Sequence, residues 1–206
     1  MTLKKLHYFS GLFLTVFIGI HLGNHLTGLF GAEIHISVME VLRKVYRNPF
    51  VEFFLLSAVA IQIVSGPILV FRRLKSKEIE VDRLQIASGL YLAVFLTIHV
   101  SAVMTGRFFL HLDTNFYFGA AGINRFPFSL FFIPYYSLAV LSIFAHVASI
   151  HRQKMKSDVF GFSPKKQSNA ILISGFLTLC ILMFALTDGF RGVEIPAPYR
   201  ILTGGK

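Results

Sequence analysis

Five long apolar stretches limit what this 206-residue chain can fold into. They cover approximately residues 8–30, 50–72, 85–106, 128–150 and 169–188. Each is long enough to cross the hydrocarbon core of a bilayer as a helix, which takes about 20 residues. Only 15% of the residues are charged, against about 25% in a soluble domain. The sequence therefore predicts an all-α integral membrane protein, in which residues 1–206 form a single transmembrane domain of five helices.

The basic residues between these stretches predict the orientation of the chain. Cytoplasmic segments of membrane proteins are enriched in Lys and Arg. An inside amino terminus places twelve basic residues inside, namely Lys4, Lys5, Arg72, Arg73, Lys75, Lys77, Arg83, Arg152, Lys154, Lys156, Lys165 and Lys166. It places eight outside, namely Arg43, Lys44, Arg47, Arg107, Arg125, Arg191, Arg200 and Lys206. We therefore predict a multi-pass protein of the inner (cytoplasmic) membrane, with its amino terminus inside and its carboxyl terminus outside.

The net charge of +10 comes from these basic residues between the apolar stretches. The basic residues flank apolar spans, where they meet membrane lipid headgroups, so nucleic acid is not expected as a partner.

Two connecting segments have their own patterns. Residues 34–47 have helical apolar spacing, which predicts a helix lying in the outer interface. Residues 108–126 are rich in Phe and Tyr, which indicates an aromatic belt.

An internal repeat relates the first span to the third. Residues 10–28 read SGLFLTVFIGIHLGNHLTG and residues 88–106 read SGLYLAVFLTIHVSAVMTG, with ten of nineteen positions identical. Because both spans run the same way, His21 and His99 are expected at one depth, in the outer third. Two imidazoles at one depth on two helices can ligate a haem iron from both faces. The alternative is that these histidines only hydrogen-bond between helices.

A second pair of polar residues lies in the remaining spans. His146 is near the inner end of the fourth span, whereas the second span has no His and carries Gln62 at that depth. Gln is a poor iron ligand, so His146 predicts either a weak inner haem site or a Gln62–His146 hydrogen bond.

His25 follows His21 by one helical turn and has several candidate roles. It is an alternative ligand, a haem-propionate partner or a quinone contact. Zinc ranks lower because no carboxylate lies near the His21/His25 pair. The chain has one cysteine, Cys180, so any haem is held non-covalently. The other histidines are interpreted as solvated or headgroup-level residues: His7, His35, His111 and His151.

These residues resemble the membrane-anchor cytochrome b subunit of succinate dehydrogenase and fumarate reductase, in its five-helix, single-chain form. The resemblance rests on Ser10-Gly11 through His21, Asn48-Pro49-Phe50, Gln85 through His99, and Phe144-Ala145-His146. It implies that His21 and His99 hold the iron of a distal haem b, and that His146 matches a ligand of a proximal haem. Gln62 stands where that family has the helix-two His. The resemblance thus implies one haem b, or a second held by His146 alone.

The resemblance also implies partners. Such anchors dock a flavoprotein and an iron–sulfur subunit on the inner face and exchange electrons with membrane quinone. They are non-catalytic electron-transfer and quinone-binding subunits of an oxidoreductase. The basic inner loops, residues 72–84 and 151–168, are the expected docking surface. Quinone is expected near a haem edge, with candidate contacts at His25, Glu33, Glu52 and Arg107.

Two other functions remain open on the sequence. The chain would be a haem-free anchor of the same kind of complex if its histidines only pack or touch quinone. It would be a stand-alone intramembrane cytochrome b or proton-relay protein if it has no soluble partners, although relays usually include Asp or Glu at depth.

Overall fold

The computed structural model describes residues 2–76 and 82–205, and the long elements within them are all helices. Among these residues, five helices are long and apolar enough to cross a membrane. This confirms the predicted all-α, five-helix architecture of a multi-pass membrane protein. Lys77 and Lys206, which belong to the predicted inner and outer basic sets, lie outside the described residues.

The ends of the spanning helices differ by up to five residues from those of the apolar stretches. The five spanning helices are α1 (Leu3–Leu26), α3 (Pro49–Lys75), α4 (Arg83–Phe108), α6 (Ser129–Lys154) and α7 (Pro164–Leu186). The two shorter helices are α2 (Ala32–Tyr46) and α5 (Phe116–Ile123), and 3-10 turns cover Thr27–Phe30 and Ala197–Thr203.

Capping residues set several of these helix ends. The side chains of Asn48, Asp82 and Ser163 accept hydrogen bonds from backbone N–H groups in the first turns of α3, α4 and α7. Such caps satisfy donors that have no partner inside the helix. Pro49 and Pro164 then occupy first-turn positions, where a missing N–H costs nothing. The apolar pattern marks the bilayer-spanning part, whereas the caps define the helix.

The five spanning helices form a closed ring. Helix α1 packs on α3, α3 on α4, α4 on α6, α6 on α7, and α7 returns to α1. Among the contacts between spanning helices, the closest approach at a glycine is between α6 and α7. A Cβ atom on Gly175 would lie 2.5 Å from the Phe144 Cβ, so only glycine fits there. Small residues at helix contacts are typical of membrane bundles.

Short elements cover one end of the ring, which we call the α2 end; the opposite end, which carries the amino terminus, is the amino-terminal end. The predicted helix over residues 34–47 is present as α2. The predicted aromatic belt over 108–126 fits its exposed ends, at Phe108, Phe109 and Phe126, but is wrong for helix α5, whose side chains are largely buried. Phe116 is only 3% exposed and Ala120 is fully buried. These side chains pack under the Thr27–Phe30 turn and against α7, so they form core.

Candidate functional site

The structure brings the two repeated histidines together. His21 on α1 and His99 on α4 have ring centroids 6.2 Å apart. Each ring also stacks on the phenylalanine one turn earlier in its own repeat. Phe17 lies 5.7 Å from His21 and Phe95 lies 5.1 Å from His99, with nearly parallel planes in both pairs. The repeat therefore places an aromatic support as well as an imidazole at this level of the ring.

The separation of these rings fits two ligands of one metal. An imidazole nitrogen binds a metal at about 2 Å, so two imidazoles on opposite sides of one iron have ring centres about 6 Å apart. Among the described residues, no group of three or more His, Cys, Asp or Glu is arranged to hold a metal ion. A haem iron needs only two protein ligands because the porphyrin supplies the others. The His21/His99 pair therefore suits haem.

His25 connects this pair to the α2 end. Its Nε2 lies 3.2 Å from the Nε2 of His21, and its Nδ1 lies 3.4 Å from the Nε2 of His35. The three imidazoles thus form a hydrogen-bonded chain. The two contacts of His25 use the two different nitrogens of its ring, which point in different directions. One metal ion therefore cannot take the place of both His21 and His35 as its partner.

The interpretation of His35 as a solvated residue is wrong. Its side chain is only 2% exposed, because α2 folds back over the end of α1. Burial, with smaller effects of His21 and Arg43, lowers the pKa of His35 to about 4. The Nδ1 of His35 and the Oδ1 of neighbouring Asn24 are buried without a hydrogen-bond partner among the described residues. Two buried polar atoms at this end of the site are therefore available to hydrogen-bond a further group.

Arg43 provides positive charge close to the same site. Its Nη1 lies 2.6 Å from the Asp113 Oδ1, and the guanidinium also lies close to Tyr46. The Tyr46 ring contacts Phe17, which stacks on His21. One aromatic ring thus separates the histidine pair from the Tyr46 and Arg43 side chains.

The predicted quinone contacts are dispersed. Glu52 at the start of α3 forms an ion pair with Arg107 at the end of α4. Glu33 is exposed near the start of α2. His25 alone of the four candidates contacts the histidine pair.

Gln62 and His146 occupy equivalent positions in two related helix pairs, α1/α3 and α4/α6. The Gln62 Nε2 donates to the His7 carbonyl and to the Ser10 Oγ, both at 2.7 Å. His146 makes the same pair of contacts 78 positions later on α4: its Nδ1 lies 3.2 Å from the Gln85 carbonyl and 3.3 Å from the Ser88 Oγ. The internal repeat therefore includes the neighbouring helices.

This arrangement corrects the alternative of a hydrogen bond between Gln62 and His146. Each side chain bonds instead to the repeated Ser-Gly segment of its neighbour. A Cβ on Gly11 would lie 3.4 Å from Gln62, and one on Gly89 would lie 3.1 Å from His146. Because Gly11 and Gly89 have no side chain, Gln62 and His146 can approach the backbone of the neighbouring helix closely.

His7 makes a contact between helices that its interpretation as a solvated or headgroup-level residue does not include. It is half-buried, and its Nδ1 lies 2.7 Å from the Oγ of Ser65, a residue that is 1% exposed. A signal was available, because His7, His21 and His25 follow one another at 14 and 4 residues and so share a face of α1. His111 is exposed as predicted, and His151 is half-buried beside Gln167.

Comparison of the chain with protein-family models, with curated protein sequences and with solved structures gives no match.

Proposed function

We propose that the chain is a haem b-containing electron-transfer protein whose His21 and His99 are the axial ligands of one haem. The observation that carries the proposal is the 6.2 Å separation of the two rings on facing helices. Phe17 and Phe95 restrict the rotation of the imidazoles by stacking on them. Fixed orientation of the ligands is a common property of metal-binding histidines.

Other residues of the site suit the remaining parts of a haem. Arginine is a preferred partner of carboxylates, and Arg43 lies beyond Tyr46 and Phe17 from His21. It is therefore the candidate to meet the propionates. When bound, haem supplies one-electron chemistry at a potential that the ligands and their surroundings tune. The protein supplies the ligands, the countercharge and an apolar surrounding.

The partners proposed for this chain follow from the resemblance to respiratory anchors. We place a flavoprotein and an iron–sulfur subunit at the amino-terminal end, inside the cell, and membrane quinone near the haem. The chain itself would then pass electrons between them without catalysing a reaction on a soluble substrate. Support for docking at this end comes from Arg152, Lys154, Lys156, Lys165 and Lys166, which are basic residues around one connecting loop.

Substitution of the two ligands tests the proposal. The chain is purified in mild detergent from cells with ample haem, and its reduced-minus-oxidised visible spectrum is recorded. His21→Ala and His99→Ala should each abolish the same low-spin haem, whereas His111→Ala, at an exposed position, should not. Full retention of a bis-imidazole spectrum in His99→Ala would show that this residue is not a ligand.

The imidazole chain favours a second candidate, a proton relay. His25 uses both ring nitrogens, toward His21 and His35, and such a chain can pass a proton by exchanging donor and acceptor roles. Iron bound at the His21 Nε2 excludes the contact with His25, so the two functions make opposite predictions. His25→Ala leaves the haem spectrum largely intact if His21 is a ligand. It stops proton transfer into proteoliposomes if the chain is a relay that holds no haem.

A further inference from the structure

The loop between α6 and α7 contains a tight hairpin at the amino-terminal end. Val159 and Phe162 exchange both of their backbone hydrogen bonds, at 3.1 and 2.9 Å, across the two residues Phe160 and Gly161. Both central residues have a positive φ, 50° at Phe160 and 76° at Gly161, which is the pattern of a type I′ turn. We call residues 159–162 the loop hairpin.

The aromatic side chain at the tip contributes little to the packing of the chain. Phe160 is 96% exposed, and Phe162, two residues later, is 56% exposed. A bulky residue is also unfavourable at a positive φ, where type I′ turns normally carry Asn, Asp or Gly. Folding therefore does not explain an aromatic residue at this position, whereas contact with something outside the chain would.

Hydrogen bonds from Gln167 hold the loop hairpin at a defined level. The Gln167 Nε2 donates to the Ser157 carbonyl at 3.3 Å and to the Phe162 carbonyl at 2.6 Å. Its Oε1 lies 2.8 Å from the Nε2 of His151, so the hairpin is fixed to both α6 and α7. The apolar stretches of these helices end at about residues 150 and 169, within two residues, or about 3 Å, of His151 and Gln167. The hairpin backbone therefore lies where the hydrocarbon core ends and the headgroups begin.

The charge around the loop hairpin is complementary to anionic lipid. Residues 151–168 contain five basic residues and a single acidic one, Asp158. Three exposed lysines form no ion pair among the described residues, namely Lys156, Lys165 and Lys166. Exposed aromatic side chains together with lysines are typical of segments that lie on an anionic membrane surface.

We propose that the loop hairpin is a membrane-surface anchor that binds anionic phospholipid. Phe160 and Phe162 lie among the headgroups, and the phosphates are met by Lys156, Lys165 and Lys166. Lipid suits this site better than a soluble protein, because the hydrogen bonds to the two helix ends keep the hairpin at the headgroup level. The inference is independent of haem binding, and it leaves the basic residues of α6 to a soluble partner.

A single tryptophan tests the anchor. The chain has no tryptophan, so Phe160→Trp introduces the only one. The full-length variant is reconstituted into nanodiscs of phosphatidylcholine with phosphatidylglycerol, in which one or the other lipid is brominated near the headgroup end of its chains. We expect emission at a shorter wavelength than in phosphatidylcholine alone, and stronger quenching by brominated phosphatidylglycerol than by an equal content of brominated phosphatidylcholine. Replacement of Lys156, Lys165 and Lys166 by Gln should lower this preference, by up to about fivefold per lysine.

Phe190→Trp is the matched control at the α2 end. Phe190 also has a positive φ, of 65°, and is 73% exposed. Residues 187–194 around it carry one basic and two acidic residues, so the charge is not complementary to anionic lipid. We expect this tryptophan to show no preference between the two brominated lipids.

Three results would overturn the proposal. Emission of Phe160→Trp at the wavelength of a water-exposed tryptophan in both lipids, with quenching by acrylamide, would place the hairpin in the aqueous phase and open to a soluble partner. A shorter-wavelength emission that neither brominated lipid quenches would indicate contact with another protein chain. Equal quenching by the two brominated lipids, as expected for Phe190→Trp, would contradict recognition of anionic lipid. Phe162→Trp is a second probe of the same contact and should respond as Phe160→Trp does, and the circular dichroism of each variant reports whether it folds.

Discussion

The imidazole of His25 holds His21 in a hydrogen bond that iron would have to replace. The Nε2 atoms of the two rings are 3.2 Å apart, and a typical hydrogen bond contributes about 1 kcal/mol net. This cost is small beside a metal–imidazole bond. Release from His21 also leaves the Nε2 of His25 free to meet a ligand of the site. His25 is thus a neighbour that changes partner, whereas His21 and His99 are the proposed ligands.

His35 gives a pH-dependent prediction at the same scale. Burial lowers its pKa to about 4 in the folded chain, against an ordinary value of 6.5. The unfolded chain therefore binds more protons between these values, and stability falls as the pH decreases through that window. We expect the thermal midpoint in detergent to drop from pH 7 to pH 4.5, and to drop less in His35→Gln. His111→Gln, at an exposed position, is the control and should follow the wild type. Equal losses in wild type and His35→Gln would contradict the assigned burial.

Pairs of helices, rather than single helices, are the repeated element of this protein. Helices α1 and α4 share the Ser-Gly segment and the Phe-x3-His segment, and α3 and α6 each send one polar side chain onto the Ser-Gly pair. In one half this side chain is Gln62, with two hydrogen bonds of 2.7 Å. In the other half it is His146. The same backbone contact is thus made once by an amide and once by a candidate ligand.

A substitution at one glycine tests the contact between α4 and α6 at this scale. Gly89→Val places a branched side chain where even a Cβ would lie 3.1 Å from the His146 ring, so that ring must move. We expect a lower thermal midpoint in detergent, because overpacking costs about 1–3 kcal/mol, with the His21/His99 haem retained. Gly19→Val is the matched control, because a Cβ at Gly19 meets nothing within 4 Å. Equal thermal midpoints in the two variants would contradict the close approach of His146 to Gly89.

At the scale of the whole molecule, the described residues form a ring of five spanning helices with histidines at two levels. His7 and His146 lie toward the amino-terminal end, and His21 and His99 lie toward the α2 end. The basic loop between α6 and α7 adjoins the first level. If partners dock there, electrons would enter from the amino-terminal end and reach quinone near His21 and His99. This order requires the predicted inside location of the amino terminus.

The sequence predicts the parts of this arrangement that depend on a single helix or on a repeat. Long apolar stretches indicate the five spanning helices, and the repeat brings His21 and His99 to one depth. The burial of His35 depends on how α2 folds back over α1, and no local pattern encodes that contact. The partners of Gln62 and His146 depend on which helices adjoin in the ring. The contact of His7 with Ser65 also depends on the packing of α3 against α1, since a histidine near a helix end resembles a headgroup-level residue in the sequence.

The most direct test of haem ligation by His21 and His99 is the reduced-minus-oxidised visible spectrum of the purified wild-type chain, recorded with haem quantified per polypeptide. The protein must be made in cells with ample haem. We predict a low-spin, six-coordinate b haem, with at least about one haem bound per chain. A chain without haem, or one whose haem is high-spin and five-coordinate, would contradict ligation by the two repeated histidines.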